Sequence, residues 1–173
     1  MPLTPMFQFQ NMTGMNNNIF IDSSILIEYR KGSKTGLWDA ILSDTDVVPC
    51  LNQTVVSEYL YYHLAIFGGK APLSIKEAGK IEVTLLIKNP LTFLELLEWL
   101  PDSPDILPLT INFMKKYNLL PNDALILSTC KKYGIEALAT HDADFARPCQ
   151  AEGIYLLSSA EDFAQFRTSR PSP

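Results

Sequence analysis

Histidine, paired cysteines and long apolar runs are scarce in this chain of 173 residues. It contains 2 histidines and 3 cysteines, and the cysteines, Cys50, Cys130 and Cys149, show no CxxC spacing. This pattern argues against a zinc site and a disulfide framework, and it favours a reducing cytoplasm as the location. No run of 18 apolar residues occurs, so no membrane-spanning helix is predicted. The N-terminus lacks the basic and apolar pattern of a secretory signal.

An excess of positive charge is also absent. The chain has 14 Lys and Arg against 19 Asp and Glu, a formal net charge of −5. A protein that coats nucleic acid would carry a basic surface, so the charge argues against that class. An enzyme that meets phosphates through bound cations remains compatible with it. The composition, 47% hydrophobic and 19% charged, is that of a globular protein, and the length suits one domain.

Segments of strand length alternate with segments of helix length. The predicted strands cover residues 19–21, 47–48, 135–139 and 154–157. The predicted helices cover residues 23–29, 37–42, 53–67, 75–87, 111–117, 124–133 and 160–166. Residues 91–99 suit either a helix or a strand, and residues 145–149 are predicted to be irregular. The alternation predicts an α/β fold, a three-layer α/β/α sandwich with a central parallel sheet.

We therefore divide the chain into three parts. Residues 1–17 are predicted to be a flexible leader, because they are polar and show no sustained hydrophobic period. Residues 18–166 form the single predicted domain. Residues 167–173, with the sequence RTSRPSP, are predicted to be a disordered tail.

The stretch from residue 119 to residue 145 carries the strongest local signals. Asn122 is the predicted N-cap of a helix, Asp123 falls in its first turn, and Gly134 ends it. A buried strand follows, and after it come Asp142 and Asp144. Ligands of open parallel sheets bind outside the carboxyl ends of the strands. Taken singly, Asp123 can also complement the helix dipole, and the later two acids can be turn formers.

Two more acids stand at comparable places. Asp22 comes between the first predicted strand and the first helix, where it can equally be an N-cap. Glu58 lies off the apolar face of the helix at 53–67, where a solvated surface role is the simpler interpretation. The recurrence of acids near the carboxyl ends of strands makes a single cluster a competing hypothesis.

Such a cluster has a definite chemistry. Crowded carboxylates repel one another and raise each other's pKa unless a cation intervenes. A set of oxygen ligands favours Mg²⁺ or Mn²⁺ over zinc or copper. His63 is predicted to pack on a helix face, whereas His141 lies within the acidic turn and could contact substrate. Substrate phosphates also need cations, and the candidates are a basic group that could otherwise be a solvated loop: Arg30, Lys31 and Lys34.

The order of these motifs resembles the PIN-domain family. The resemblance covers residues 18–166 and rests on IFIDSSILIEYRKG near one end and on NDALILSTCKKYG and LATHDADF near the other. It is greatest to the VapC-type toxin ribonucleases of toxin–antitoxin pairs. The resemblance implies a Mg²⁺- or Mn²⁺-dependent endoribonuclease that acts on RNA, a small antitoxin that inhibits it, and a homodimer.

The resemblance also implies the site residues. Asp22, Glu58 and Asp123 match the acid core, and Asp142 or Asp144 matches the fourth ligand. We favour Asp142 because it stands nearer the end of the strand. The hydroxyl residues Ser24 and Thr140 match positions that orient a water molecule or a carboxylate.

Other functions stay open. One is a non-catalytic PIN module for protein interaction or RNA binding. Another is a phosphoacceptor domain that binds Mg²⁺ around a phosphorylated aspartate. That domain expects paired acids at the end of the first strand and a lysine after a late strand, whereas Phe20 and Ile21 precede Asp22 and no lysine follows Ala139.

A group of aromatic residues in the helix at 53–67 has two interpretations. It could line the ordinary core, or it could form a groove or a self-association surface. The residues concerned are Tyr59, Tyr61, Tyr62 and Phe67.

Overall fold

A five-stranded sheet, in which every pair of neighbouring strands is parallel, forms the centre of the molecule. The structure, a computed structural model, describes residues 17–170. The strand order is β3-β2-β1-β4-β5. The strands are β1 (Asn18–Ile21), β2 (Val48–Leu51), β3 (Glu98–Trp99), β4 (Ala137–Ala139) and β5 (Tyr155–Leu157).

Helices connect the strands and cover the sheet. Their bounds are α1 (Ser23–Arg30), α2 (Gly36–Ser43), α3 (Gln53–Gly68), α4 (Pro72–Glu77), α5 (Ile81–Ile87), α6 (Leu91–Leu94), α7 (Leu107–Tyr117), α8 (Pro121–Lys132), α9 (Ala146–Glu152) and α10 (Ala160–Thr168). Two short 3₁₀ turns lie at Pro104–Ile106 and Ala143–Phe145. Between residues 17 and 170, no helix has both the length and the apolar character needed to cross a membrane.

Strands β1 and β4, which pair at the centre of the sheet, are buried on both faces. Ile19, Phe20 and Ile21 of β1 are 0% exposed, and so are all three residues of β4. A parallel sheet buried in this way needs helices on each side. The predicted three-layer α/β/α sandwich with a parallel sheet is therefore confirmed.

The predicted helix at 75–87 is wrong as a single element. Helix α4 ends at Glu77, and Gly79 has a φ of 65°, in the left-handed region that favours glycine. Helix α5 then begins at Ile81. The break turns much of the apolar surface outward: Leu86 is 76% exposed, whereas the buried residue of α5 is Thr84.

Several other boundaries differ from the prediction. Strand β2 passes through Pro49 and ends at Leu51, and the segment at 91–99 contains both α6 and β3. The segment predicted to be irregular is a 3₁₀ turn followed by α9.

The chain ends lie partly outside the described residues. The predicted leader falls there apart from residue 17, and so do residues 171–173. The start of the predicted tail belongs instead to α10, which ends at Thr168. Arg167 forms ion pairs with Asp44, at 2.8 Å, and with Asp46, at 3.4 Å.

The sheet order also marks a place for a ligand. The order of strands reverses between β1 and β4, which pair with Ile21 opposite Ala139. Crevices outside the carboxyl ends of strands at such a reversal are the usual ligand sites of open α/β sheets. Asp22 and Thr140 are the next residues along these two strands, so they stand at that crevice.

Candidate active site

Asp22 is the most enclosed acid of the site, with 5% of its surface exposed. Its main-chain N–H donates to the Ala139 carbonyl oxygen at 3.0 Å, which continues the pairing of β1 with β4. Its Oδ2 accepts bonds from the hydroxyls of Ser24, at 2.6 Å, and Thr140, at 2.7 Å. Asp22 is also the N-cap of α1, since Oδ2 accepts the Ser24 N–H at 3.3 Å. The described residues donate nothing to Oδ1, so capping leaves one oxygen for a ligand.

Glu58 joins three helices. It lies on α3, which begins after the N-cap Asn52. Its Oε2 accepts a bond from the Ser23 hydroxyl of α1 at 2.8 Å, and its Oε1 accepts one from the Asn122 amide of α8 at 2.5 Å. The interpretation of Glu58 as an isolated solvated residue is therefore wrong.

Asn122 has a different role from the one predicted. The N-cap of α8 is Leu120, and Pro121 occupies the first helical turn, where its missing N–H costs nothing. Asn122 follows inside the helix, so its side chain is free to hold Glu58. Sequence reasoning missed Asn122 and Ser23 as partners of the acids. The one signal for them is that each stands beside an acid in the chain, Asn122 before Asp123 and Ser23 after Asp22.

Asp123 shows that the acids form one electrostatic cluster. Partial burial raises its pKa to about 6, and repulsion from the carboxylates of Asp142, Asp22, Glu58 and Asp144 adds to the effect. A carboxylate that only complemented the helix dipole would have its pKa lowered, because the helix N-terminus favours the charged form. The dipole interpretation alone therefore does not account for Asp123.

The acidic turn after β4 is tied to the same network. The Thr140 hydroxyl accepts the Asp142 N–H at 2.9 Å, and the His141 N–H donates to the Ser24 hydroxyl at 3.0 Å. Asp142 Oδ1 accepts the Asp144 N–H at 2.9 Å, so Asp142 is a turn former as well as a member of the cluster. Among the four acids that repel Asp123, Asp142 raises the Asp123 pKa most and Asp144 raises it least.

The donor chemistry of the cluster fits Mg²⁺ or Mn²⁺. Its candidate ligands are all carboxylate oxygens. The cysteines are buried and free, and His63 is fully buried with its Nε2 2.9 Å from the Lys88 carbonyl oxygen. Within residues 17–170, no three acidic, histidine or cysteine side chains are already arranged to hold an ion. The acids would have to move closer together around a cation, which would offset both causes of the raised Asp123 pKa, the burial and the repulsion from the other acids.

The first testable prediction concerns stability in the absence of divalent ions. An acid with a raised folded pKa lowers stability as pH rises through the window from 3.8, its ordinary value, to about 6. We expect Asp123→Asn to raise the melting temperature at pH 7.5 in EDTA and to lose this advantage toward pH 4. After a discount for the partial exposure of Asp123, the gain is about 1 kcal/mol, or about 2–4 °C.

A matched control separates repulsion from the helix dipole. Asp39 is an exposed acid in the first turn of α2, and Asp39→Asn should leave the melting temperature unchanged or lower it slightly. Thermal melts followed by circular dichroism measure both variants across the pH range. If Asp123→Asn lowers the melting temperature as Asp39→Asn does, the repulsion argument is wrong.

The comparison with known proteins agrees with this geometry. The family model described as PIN domain matches residues 19–151. Ribonuclease VapC2 of Methanocaldococcus jannaschii is 33% identical over 133 residues, which cover 76% of this chain and 89% of that protein. Ribonuclease VapC6 of the same organism is 32% identical over 147 residues, covering 76% of this chain and 92% of the relative.

A solved structure shows the same fold at lower identity. Mycobacterium tuberculosis VapC20, a Sarcin-Ricin loop cleaving toxin, superposes with a TM-score of 0.53 at 15% identity. The match covers 75% of this chain and 94% of the mycobacterial chain. The predicted resemblance is confirmed: because the family model spans most of the chain and the archaeal relatives match over three quarters of it, this protein belongs to the PIN-domain family.

Proposed function

We propose that this protein is a metal-dependent endoribonuclease that hydrolyses RNA phosphodiester bonds and is the toxin of a toxin–antitoxin pair. The observation that carries the proposal is the raised pKa of Asp123, about 6, which burial raises most. Repulsion from four other acids adds to the effect, and these come from the start of α1, from α3 and from the turn after β4. Two further findings support it. The archaeal relatives are named ribonucleases, and the mycobacterial structure is described as a toxin that cleaves the Sarcin-Ricin loop.

Asp22, Glu58, Asp123 and Asp142 would hold the Mg²⁺ or Mn²⁺ ion, with Asp144 as the weaker alternative to Asp142. An ion bound there would lower the pKa of a bound water and neutralise charge on the phosphate. Metal ligands must be deprotonated, and Asp123 is protonated in a fraction of molecules near its pKa of about 6. We therefore expect cation affinity to increase as pH rises from 5 to 7.

The neutral side chains around the acids keep them in place. Ser24 and Thr140 hold one oxygen of Asp22, and Ser23 and Asn122 hold the two oxygens of Glu58. These donors compensate the partial burial of the carboxylates without cancelling their charge. The acids therefore remain available to a cation. A lysine or arginine in place of these neutral donors would pair with the acids and exclude the cation.

The activity test uses the cluster itself. Wild-type protein should cut single-stranded RNA with Mg²⁺ or Mn²⁺, and EDTA should stop it. Asp22→Asn, Glu58→Gln and Asp123→Asn should each reduce the rate by more than the roughly 10–100-fold that loss of an outer-shell partner costs. Circular dichroism should show an intact fold in all three.

The control and the contrary results are distinct. Asp39→Asn removes the same charge outside the cluster and should retain the wild-type rate. Full cleavage in EDTA would overturn the metal dependence. RNA binding without any cleavage would favour the non-catalytic PIN module instead.

The fourth ligand is tested by a pair of variants in the acidic turn. Asp142 affects Asp123 more strongly than Asp144 does, so Asp142→Asn should cost more activity at limiting Mg²⁺. Added Mg²⁺ should partly restore the rate, because the defect is in ion affinity. A larger loss in Asp144→Asn would transfer the ligand role to Asp144, and equal small losses would leave both as turn formers.

The aromatic group of α3 divides between core and surface. Tyr59 is buried and packs 5.7 Å, between ring centroids, from Phe93. Tyr61 and Tyr62 are 56% and 49% exposed and meet each other at 5.7 Å. Phe67 packs against His63 at 4.6 Å, so the exposed surface consists of Tyr61 and Tyr62.

The partner prediction follows from this surface and from the acid cluster. We expect a homodimer that buries Tyr61 and Tyr62, and a small antitoxin whose basic residue enters the cluster at Asp22, Glu58 and Asp123. Light scattering should give the dimer mass, and Tyr62→Glu should shift it toward the monomer. If the wild-type protein is a monomer at high micromolar concentration, the prediction of a homodimer is wrong. If the antitoxin binds wild type and Glu58→Gln with equal affinity, the prediction that its basic residue enters the acid cluster is wrong.

The proposal includes a cytoplasmic location. The three cysteines are free and buried, as expected of a protein that folds in a reducing compartment. Localisation of a tagged protein in its own cells tests this part, and a secreted protein would contradict it.

A further inference from the structure

The three cations that follow α1 differ in their surroundings. The Arg30 guanidinium lies 5.0 Å from the Phe67 ring centroid and 5.3 Å from that of Phe93, so it packs over aromatic rings. The Lys31 ammonium pairs with Glu28 Oε1 at 2.9 Å. Lys34 is exposed and forms no ion pair within residues 17–170. Of the three, Lys34 is the cation available to a substrate.

The backbone of Lys34 is unusual. Its φ is 49°, in the left-handed region that residues other than glycine, asparagine and aspartate seldom adopt. Such a conformation costs free energy and is concentrated at functional sites. Glycine or asparagine would be less strained at this position, so the left-handed lysine is an observation that motivates a functional hypothesis for its side chain.

Lys34 lines a cavity beside the acid cluster. The cavity has a volume of about 500 Å³ and lies between the loop after α1 and the start of α10, with Gly36, His141, Ser159 and Glu161 also in its wall. This volume falls within the range of ligand pockets, roughly 300–1,000 Å³. Nothing in residues 17–170 hydrogen-bonds the buried Nε2 of His141.

The cavity is connected to the acids through His141. The main-chain N–H of His141 donates to the Ser24 hydroxyl at 3.0 Å, and that hydroxyl donates to Asp22 Oδ2 at 2.6 Å. His141, in the cavity wall, is therefore joined to the most enclosed carboxylate by two hydrogen bonds that start at its main-chain N–H. A nucleotide next to the bond being cut would reach this position.

We propose that Lys34 binds the RNA phosphate adjacent to the scissile one, in the cavity that it forms with His141. The inference rests on the proposed ribonuclease function. Five carboxylates repel a polyanionic strand, and the ions that they would hold would supply positive charge at the reacting phosphate. The neighbouring phosphate needs its own cation, and Lys34 supplies it at the edge of the cluster. Lys34 is thus a positioning residue for single-stranded RNA.

The test uses substitutions that separate charge from backbone strain. Lys34→Asn removes the charge but tolerates the left-handed conformation, so its melting temperature should be unchanged or higher. Lys34→Arg keeps the charge. Lys80→Asn is the control, because Lys80 is an exposed lysine just before α5 that lines none of this cavity.

Binding is measured by anisotropy of a fluorescein-labelled single-stranded RNA in EDTA over a range of KCl concentrations. Loss of one phosphate contact should reduce the slope of log affinity against log salt by about 0.7 in Lys34→Asn and leave it unchanged in Lys80→Asn. With Mg²⁺, Lys34→Asn should raise KM with little change in kcat, since the contact is the same in the ground state and the transition state. Lys34→Arg should resemble wild type.

The outcomes distinguish the two proposals. If wild type cuts RNA but Lys34→Asn matches Lys80→Asn in salt slope and KM, the subsite is wrong and the ribonuclease proposal stands. If wild type neither binds nor cuts RNA with Mg²⁺ or Mn²⁺, the ribonuclease proposal fails and the subsite fails with it.

Discussion

The pairing of β1 with β4 is the constraint on which the site depends. Ile21 stands opposite Ala139, so the chain delivers Asp22 and Thr140 side by side at the point where the strand order reverses. The Thr140 hydroxyl then donates to Asp22 at 2.7 Å. A shift in this register would move Asp22 away from the acidic turn. The residues that pair, Ile19–Ile21 and Ala137–Ala139, are all fully buried, which makes such a shift costly.

The second constraint is the repulsion among the acids. None of the ion pairs within residues 17–170 reaches Asp22, Glu58, Asp123, Asp142 or Asp144. Neutral hydroxyl and amide groups hold Asp22 and Glu58 instead, and the Asp144 N–H donates to Asp142. The protein therefore keeps a negative site that no ion pair within residues 17–170 compensates, and the repulsion at Asp123 lowers the stability of the free chain. This repulsion is the physical basis for the cation binding that we propose. Functional sites commonly violate the rules that stabilise the rest of a fold.

The environment of the site is asymmetric. Asp22, Glu58 and Asp123 lie where three helices begin or approach the sheet edge, and they present only negative charge. Lys34 brings a positive charge to one side of this edge, in a strained backbone conformation. This is the charge arrangement expected if the proposed substrate, a strand with several phosphates, reacts at one phosphate and is held at its neighbour.

The sequence alone predicted the features that local pattern encodes. The apolar runs before Asp22 and Asp142 predicted β1 and β4, and the acids after them predicted a site at the carboxyl edge of the sheet. The motifs around these acids also predicted the PIN-domain family, which the family model confirms. These signals are local because strand burial and helix capping depend on residues a few positions apart.

Only the tertiary structure decided which side chains meet. Glu58 receives bonds from Ser23 and Asn122, which are 35 and 64 positions away, and Asp22 receives one from Thr140, 118 positions away. The same holds for the surroundings of the basic group, where Arg30 packs over Phe67 and Phe93 and Lys34 stays free of ion pairs within the described chain. Periodicity identifies the face of a helix that is buried, but it does not identify the partner. Partners are determined by the strand order and by how the helices pack across the sheet, and these depend on the whole chain.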